Sequence, residues 1–133
     1  MAYESNEGLD LPMQAENEMS EAYVVVELGT GANQVDLPAS TAVRPFGVIQ
    51  NNADANGAVP VRCSGVTKVV ANGAFSKGDK LGIAATTGRV DTVADVDATW
   101  SGATVHAIGI ALEDANAAGE IVSMLIRPLE YGT

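Results

Sequence analysis

Of the side chains that most often carry covalent chemistry, this sequence holds one cysteine, Cys63, and one histidine, His106. A nucleophile needs a base within hydrogen-bond reach and a third group to orient that base. Cys63 ends the alternating run Val59-Pro60-Val61-Arg62-Cys63, and His106 sits among the apolar residues of Val105 to Leu112. Both positions read as strand residues, Cys63 as a small buried hydrophobe and His106 as a hydrogen-bonded structural imidazole. A tetrahedral thiolate and imidazole metal site takes three or four such ligands, and the count excludes it. Glu113 and Asp114 are adjacent, so on an extended chain they point to opposite sides and cannot share a substrate. Asp95 and Asp97 start like a calcium loop, but no bidentate Glu or loop glycine completes the series. Gly29-Thr30-Gly31 lacks the third glycine, the lysine and the following helix of a phosphate loop, and reads as a turn. No catalytic residue, cofactor site or metal site is expected, and the chain does not read as an enzyme.

The elements that would position these residues are short strands cut by turns. The centre of the chain, Val59 to Gly82, shows the pattern best: Val59, Val61 and Cys63 alternate with Pro60, Arg62 and Ser64, and Thr67, Val69 and Val70 add β-branched strand formers. Asn72-Gly73 and Lys77-Gly78-Asp79 are expected to reverse the chain, since Gly and Asn accept the positive φ that tight turns need. Upstream, a strand is expected over Ala22–Leu28, stopped by Gly29 to Asn33, then a short one at Gln34–Leu37 and another at Phe46–Gln50. The Asn- and Asp-rich stretch Asn51 to Gly57 reads as a loop. Downstream, Leu81-Gly82-Ile83 pairs with Arg89-Val90-Asp91 across Thr86-Thr87-Gly88 as a hairpin. Val93 to Gly102 is a polar excursion carrying Trp100. Val105–Leu112 and Glu120–Arg127 are strands joined by a connection with room for one helical turn, and Pro128 is expected to end the second by removing an N–H donor. The fold class is all-β, a small β-barrel or sandwich of short strands.

At 133 residues the chain is long enough for one small core, and its 47% hydrophobic content includes only 5% aromatic. A core of Val and Ala buries little area per residue, at roughly 25 cal/mol per Å², so subunit contacts are expected to supplement it. Seven basic against 17 acidic side chains give net −10. That balance disfavours direct nucleic-acid binding, which needs clustered Lys and Arg. A single cysteine permits no internal disulfide. The first residues carry Glu4, Glu7 and Asp10 instead of a basic and apolar leader, and no segment has the length of a membrane span. Synthesis in a reducing cytoplasm is expected.

Residues 1–21 hold six acids, no Lys or Arg, and only scattered apolar side chains. Such a segment cannot bury enough surface to offset its own ordering. It is expected to be an extended acidic N-terminal arm, not a strand, that a neighbouring chain would hold, with Tyr3, Leu9, Leu11, Pro12 and Met13 as the binding anchors. Residues 22–133 are expected to form the β-barrel domain.

The run Val70 to Leu81 resembles a segment of lipoyl and biotinyl carrier domains, which present a modifiable lysine at a hairpin tip, but Lys68 lies mid-strand in Val-Thr-Lys-Val-Val. A longer likeness lies in the order of Pro45-Phe46-Gly47-Val48-Ile49-Gln50-Asn51-Asn52, Gly65 to Val70, Lys77-Gly78-Asp79-Lys80-Leu81, Ile108 to Glu113 and Ala118 to Val122. In that order, over roughly Val43 to Ile126, the chain resembles the capsid cement, or decoration, proteins of tailed bacteriophages. The resemblance implies a structural protein with no cofactor, made in the cytoplasm of a host cell, that binds the exterior of the expanded head. Its partners would be the major capsid protein and itself, as a homotrimer at three-fold and quasi-three-fold positions, bridging neighbouring capsid subunits. The alternative is a phage tail or head-fibre module, or a carbohydrate-binding surface module using Trp100 and Tyr131, for which aromatic residues are few.

Overall fold

A computed structural model describes residues 8–41, 43–93 and 105–131. The described residues form ten strands and no helix: β1 (Asp10–Ala15), β2 (Val25–Leu28), β3 (Gln34–Asp36), β4 (Gly47–Ile49), β5 (Ala58–Arg62), β6 (Val66–Val70), β7 (Lys80–Ile83), β8 (Val90–Thr92), β9 (Val105–Ala111) and β10 (Ile121–Tyr131). The first five close a barrel in the order β1-β3-β2-β4-β5, and the rest form a sheet in the order β6-β10-β9-β7-β8. Within the barrel only β1 and β3 run parallel. The outer strands β6 and β8 of the second sheet also meet, at one parallel bridge between Ala71 and Val90. The all-β class and the existence of the hairpin β7–β8 match the sequence reading; its register, Leu81–Thr92, Gly82–Asp91 and Ile83–Val90, lies one residue beyond the expected pairing with Arg89-Val90-Asp91.

Strand alternation distributes the small apolar side chains over two cores where one was expected. Val24, Val26, Val35, Ile49, Val59 and Val61 fill the barrel with Ala15 and Met19. Val25 and Val48, on the opposite faces of β2 and β4, are fully buried against the second sheet, among Leu81, Ile108, Val122 and Met124. Successive side chains on a strand point to opposite faces, so β2 and β4 serve both cores.

The two sheets are joined along residues 21–25. The Tyr23 N–H donates to the Ile49 carbonyl of the barrel at 2.9 Å, and its carbonyl accepts from the Val70 N–H of the second sheet at 3.0 Å. Val25 N–H donates to the Gly88 carbonyl at 2.8 Å. Glu21 forms a two-pronged pair with Arg89, Nη2 to Oε2 at 2.8 Å and Nε to Oε1 at 3.0 Å. Further along the junction, Gln50 Nε2 donates to the buried Thr67 Oγ1 at 2.9 Å.

Four expectations are corrected. Within the stretch read as an arm, Asp10–Ala15 is a strand with five register pairs to β5 and two to β3. Its two obstacles cancel: Pro12 lies opposite Pro60, whose carbonyl accepts from Gln50 on the β4 side. Carbonyl and amide of one strand residue share a side, so neither proline nitrogen faces the other strand. Asp10 then meets Arg62 at 2.7 Å. Pro128 does not end the last strand, which runs to Tyr131 through a register shift between Ile126 and Leu129. A bulge there tolerates the missing donor. The reversal falls at Gly78, with φ of +92°, while Asn72 and Gly73 keep ordinary φ. Residues 113–119 hold no helical turn; Ala115 bridges Phe75 instead. The Val93 to Gly102 excursion lies outside the described residues from position 94 onward, Trp100 included, as does Tyr3.

Two outcomes follow from the junction. A Cβ on Gly88, at φ of +82°, would meet the Val25 carbonyl at 2.4 Å, whereas one on Gly78 meets nothing within 4 Å. Gly78→Ala should cost about 1–2 kcal/mol from the left-handed backbone alone, and Gly88→Ala about 3 kcal/mol or more. Equal losses in urea unfolding would contradict the close packing at Gly88. The hydrogen bond from Arg89 holds the Glu21 carboxyl below its ordinary range, against a smaller upward push from burial. A depressed carboxyl pKa stabilises the fold above the unfolded value and loses that contribution as pH falls through the folded one. The pair is about one-third exposed, so Arg89→Gln should remove on the order of 0.5–1 kcal/mol at pH 7 and flatten the loss of stability below about pH 4.5. An acid limb unchanged by Arg89→Gln would count against that pair.

Candidate functional site

The candidate reactive groups are dispersed. Cys63 follows β5, half-buried against the barrel core, with Sγ 3.6 Å from the Val61 carbonyl. Burial, with a lesser push from Asp10, raises its thiol pKa, which lowers the thiolate fraction available to attack. His106 lies on β9 in the other sheet, in register with Glu130. Glu113 and Asp114 are turned to separate tasks: Glu113 Oε1 accepts from the Ser123 N–H at 2.8 Å, and Asp114 Oδ1 from the Lys77 N–H at 2.7 Å. Burial raises the Glu113 pKa, but hydrogen bonding, that of Ser123 foremost, outweighs it and leaves the carboxyl below its usual value. Both are loop-fastening acceptors. Among the described residues no group of three or more His, Cys, Asp or Glu could hold a metal ion, and every buried side-chain N or O has a partner.

Concave space is equally committed. A groove of about 450 Å³ opens at the junction of the sheets between Ser20, Val24, Leu37 and Asn72, and its charged wall is the Glu21–Arg89 pair already described. The far end of the barrel is acidic. Glu16 Oε1 accepts from the Thr30 N–H and hydroxyl, and Asp36 accepts from Asn17 Nδ2 at 3.0 Å and Leu37 N–H at 2.9 Å. Glu27 lies opposite Asp36 across β2 and β3. The Thr30 hydroxyl holds Glu16 below the ordinary carboxylate range, while burial first, and Glu16 beside it, push Asp36 up. These groups rivet the 29–33 turn to β1.

The exterior also carries a few exposed apolar side chains. Leu11 and Met13 point the same way as Ala15, half-buried, and Met13 packs on the barrel core. Pro12 is exposed, and Leu9 keeps 54% of its surface in solvent. Leu9 is nonetheless fixed: its N–H donates to Ser64 Oγ at 3.0 Å and its carbonyl accepts from the Cys63 N–H at 2.8 Å. Of the anchors named from sequence, Leu9 and Pro12 therefore have free apolar surface, and Leu11 and Met13 spend much of theirs on the barrel. Leu28 and Ile121, missed from sequence, are similarly exposed, at 57% and 47%. They end β2 and begin β10, where strand alternation alone gives no sign of an uncovered side. One chemical consequence is direct: Cys63 should react with a small alkylating reagent at pH 7.5 about tenfold slower in the native chain than in urea. Equal rates would contradict its packed setting.

The fold is shared with the head fibre gp8.5 N base of bacteriophage phi29, at a TM-score of 0.64 and 19% identity, over 90% of this chain and 94% of that one. No curated protein matches the sequence. Residues 4–127 match the family of phage cement proteins, a span that takes in both sheets as far as Arg127. The chain belongs to the phage cement protein family, and its role is that of a capsid-associated structural protein.

Proposed function

We propose that this chain binds the outer face of the expanded phage head and strengthens it by bridging neighbouring major capsid subunits, as a homotrimer at three-fold and quasi-three-fold positions. The observation that carries the reading is the extent of the family match, residues 4–127, which leaves neither sheet outside the cement module. A ligand that binds an assembled lattice better than its separated subunits adds that difference to the free energy of rupture. Many weak copies acting on one connected shell achieve this together. With net charge −10, the shell surface it meets is basic or the contact is apolar.

The contact we assign to this chain is the N-terminal approach to the barrel, with Leu9 and Pro12 outermost, Leu11 and Met13 anchoring β1 beneath them, and Tyr3 as a further anchor proposed from the sequence alone. Leu9 supports this assignment, because a large exposed apolar side chain on a backbone already hydrogen-bonded on both sides adds little backbone ordering cost on docking. Removing residues 1–21 would delete β1 from the barrel, so the test is finer: removal of residues 1–7, and separately Leu9→Ser. Each should leave the thermal unfolding of the free chain within about 3 °C and lower occupancy on expanded heads about tenfold or more. Full occupancy by both variants would reject this contact.

The fold shared with a head fibre base favours one other reading, that the chain seats a fibre. Cryo-EM of heads carrying the chain separates the two. Compact density over capsid subunit boundaries supports cement, and density that continues outward into a shaft supports a fibre base.

A further inference from the structure

The two sheets have the same plan strand by strand. In the barrel, β1 pairs with β3 in parallel, and β3–β2, β2–β4, β4–β5 and β5–β1 are antiparallel. In the second sheet, β6 and β8 meet in parallel at Ala71 and Val90, and β8–β7, β7–β9, β9–β10 and β10–β6 are antiparallel. Setting β1–β5 against β6–β10 in chain order reproduces every neighbour and every direction. The register agrees as well. Gln14–Ala58 corresponds to Val70–Ile121, Val26–Gly47 to Leu81–Gly109, Leu28–Val35 to Ile83–Val90, and Ile49–Val61 to Ala111–Met124. We infer that the chain is a tandem duplication: residues 9–63 and 65–126 are two copies of one five-strand barrel, the second opened at a seam by a strand segment of the first.

The loops carry the same correspondence. In each copy two loops clasp each other through a reciprocal pair of backbone hydrogen bonds, Met19 with Ala53 in the first and Phe75 with Ala115 in the second. Each clasp sets one large buried side chain against an alanine. Each loop then returns through a left-handed residue, at Tyr23, Asn56, Gly78 and Gly119, four matching positions with φ of 63°, 65°, 92° and 91°. At those positions the same bonds recur. Asn56 N–H donates to the Ala15 carbonyl and Gly119 N–H to that of Ala71, while Tyr23 N–H donates to Ile49 and Gly78 N–H to Ala111. The bulky Tyr23 thus adopts a backbone shape that a glycine, Gly78, occupies in the second copy, as Gly119 does for Asn56. Asn33 and Gly88 repeat the pattern in the β2–β3 and β7–β8 turns. Sequence retains only traces, such as Ala15 with Ala71, Asp36 with Asp91, and Gly47 with Gly109.

The copies differ where they touch. In the first, Gln14 N–H donates to the Asn33 carbonyl at 2.8 Å and closes the seam. The equivalent residues, Val70 and Gly88, are parted: Val70 N–H donates to Tyr23 and the Gly88 carbonyl accepts from Val25. Residues 23–25 of the first copy occupy the place of the missing bond. The interface is therefore head-to-tail, and it does not propagate. The equivalent of Val25 in the second copy is Lys80, and the first copy's own seam is shut.

Two full-length variants test the duplication. One carries the residues of Glu113–Glu120 in place of Asn51–Gly57, and the other is the reciprocal swap Met19→Phe with Phe75→Met. Equivalence predicts cooperative unfolding of both within about 5 °C of the parent. It also predicts slow hydrogen exchange at the Met19 amide and at the transplanted alanine corresponding to Ala115. A folded graft in which those two amides exchange at loop rates overturns the inference. If the graft fails to fold, the swap decides: retained unfolding temperature supports duplication, and collapse overturns it.

Discussion

The structure depends on five residues, Glu21 to Val25, that belong to the barrel and complete the other sheet. A strand edge buried between two sheets must find partners for its amides and carbonyls, and here every second group goes to a different side. Tyr23 gives its N–H to Ile49 and takes a bond from Val70, and Val25 gives its N–H to Gly88. The left-handed turn at Tyr23 makes the exchange possible, since it rotates the chain between the loop and β2. Val24 and Val26 then fall into one core and Val25 into the other. Neither sheet alone has the volume of apolar side chains that the pair has. Their shared strand couples two thin cores of valine and alanine into one cooperative body.

Much of this was legible in the sequence. Alternating valines located β5, β-branched residues located β6, and the apolar run from Val105 located β9, because half-buried strands write a period of two and their turns write Gly, Asn and Asp. The glycine-bounded hairpin β7–β8 was found one residue out of register, since the exact pairing is set by turn geometry. The acidic stretch before Glu21 did not read as a strand. Its apolar residues Leu11, Met13 and Ala15 do alternate, but Pro12 and the surrounding acids masked them, and only the placement of Pro60 opposite Pro12 shows why the proline is harmless. Pro128 misled for the same reason, with a bulge supplying the exemption. The left-handed Tyr23 was invisible because tyrosine is not a turn residue; tertiary bonds on both sides force it. The correspondence of the two halves was likewise hidden, since equivalent positions keep backbone geometry while exchanging Gln for Val or Tyr for Gly.

The candidate site shows the same division. Cys63 and His106 were read as structural from their neighbours, and Glu113 and Asp114 as unable to share a substrate; the structure finds Cys63, Glu113 and Asp114 occupied with packing or with fastening loops. Strand parity separates the exposed Pro12 from the half-buried Leu11 and Met13, a distinction available only once β1 is known to be a strand; Leu9 precedes β1 and is exposed at its start. On the proposed reading, exposed apolar groups on an already hydrogen-bonded backbone lose little backbone freedom on docking, and many weak contacts on one lattice add to its resistance to rupture.

The most direct test of this role is the temperature at which filled heads release their DNA, measured with the chain absent and then added back to saturation. Cement binding predicts a release temperature that rises with occupancy and levels off when all lattice positions are filled. A release temperature indifferent to added chain that is visibly bound would contradict the strengthening of the shell.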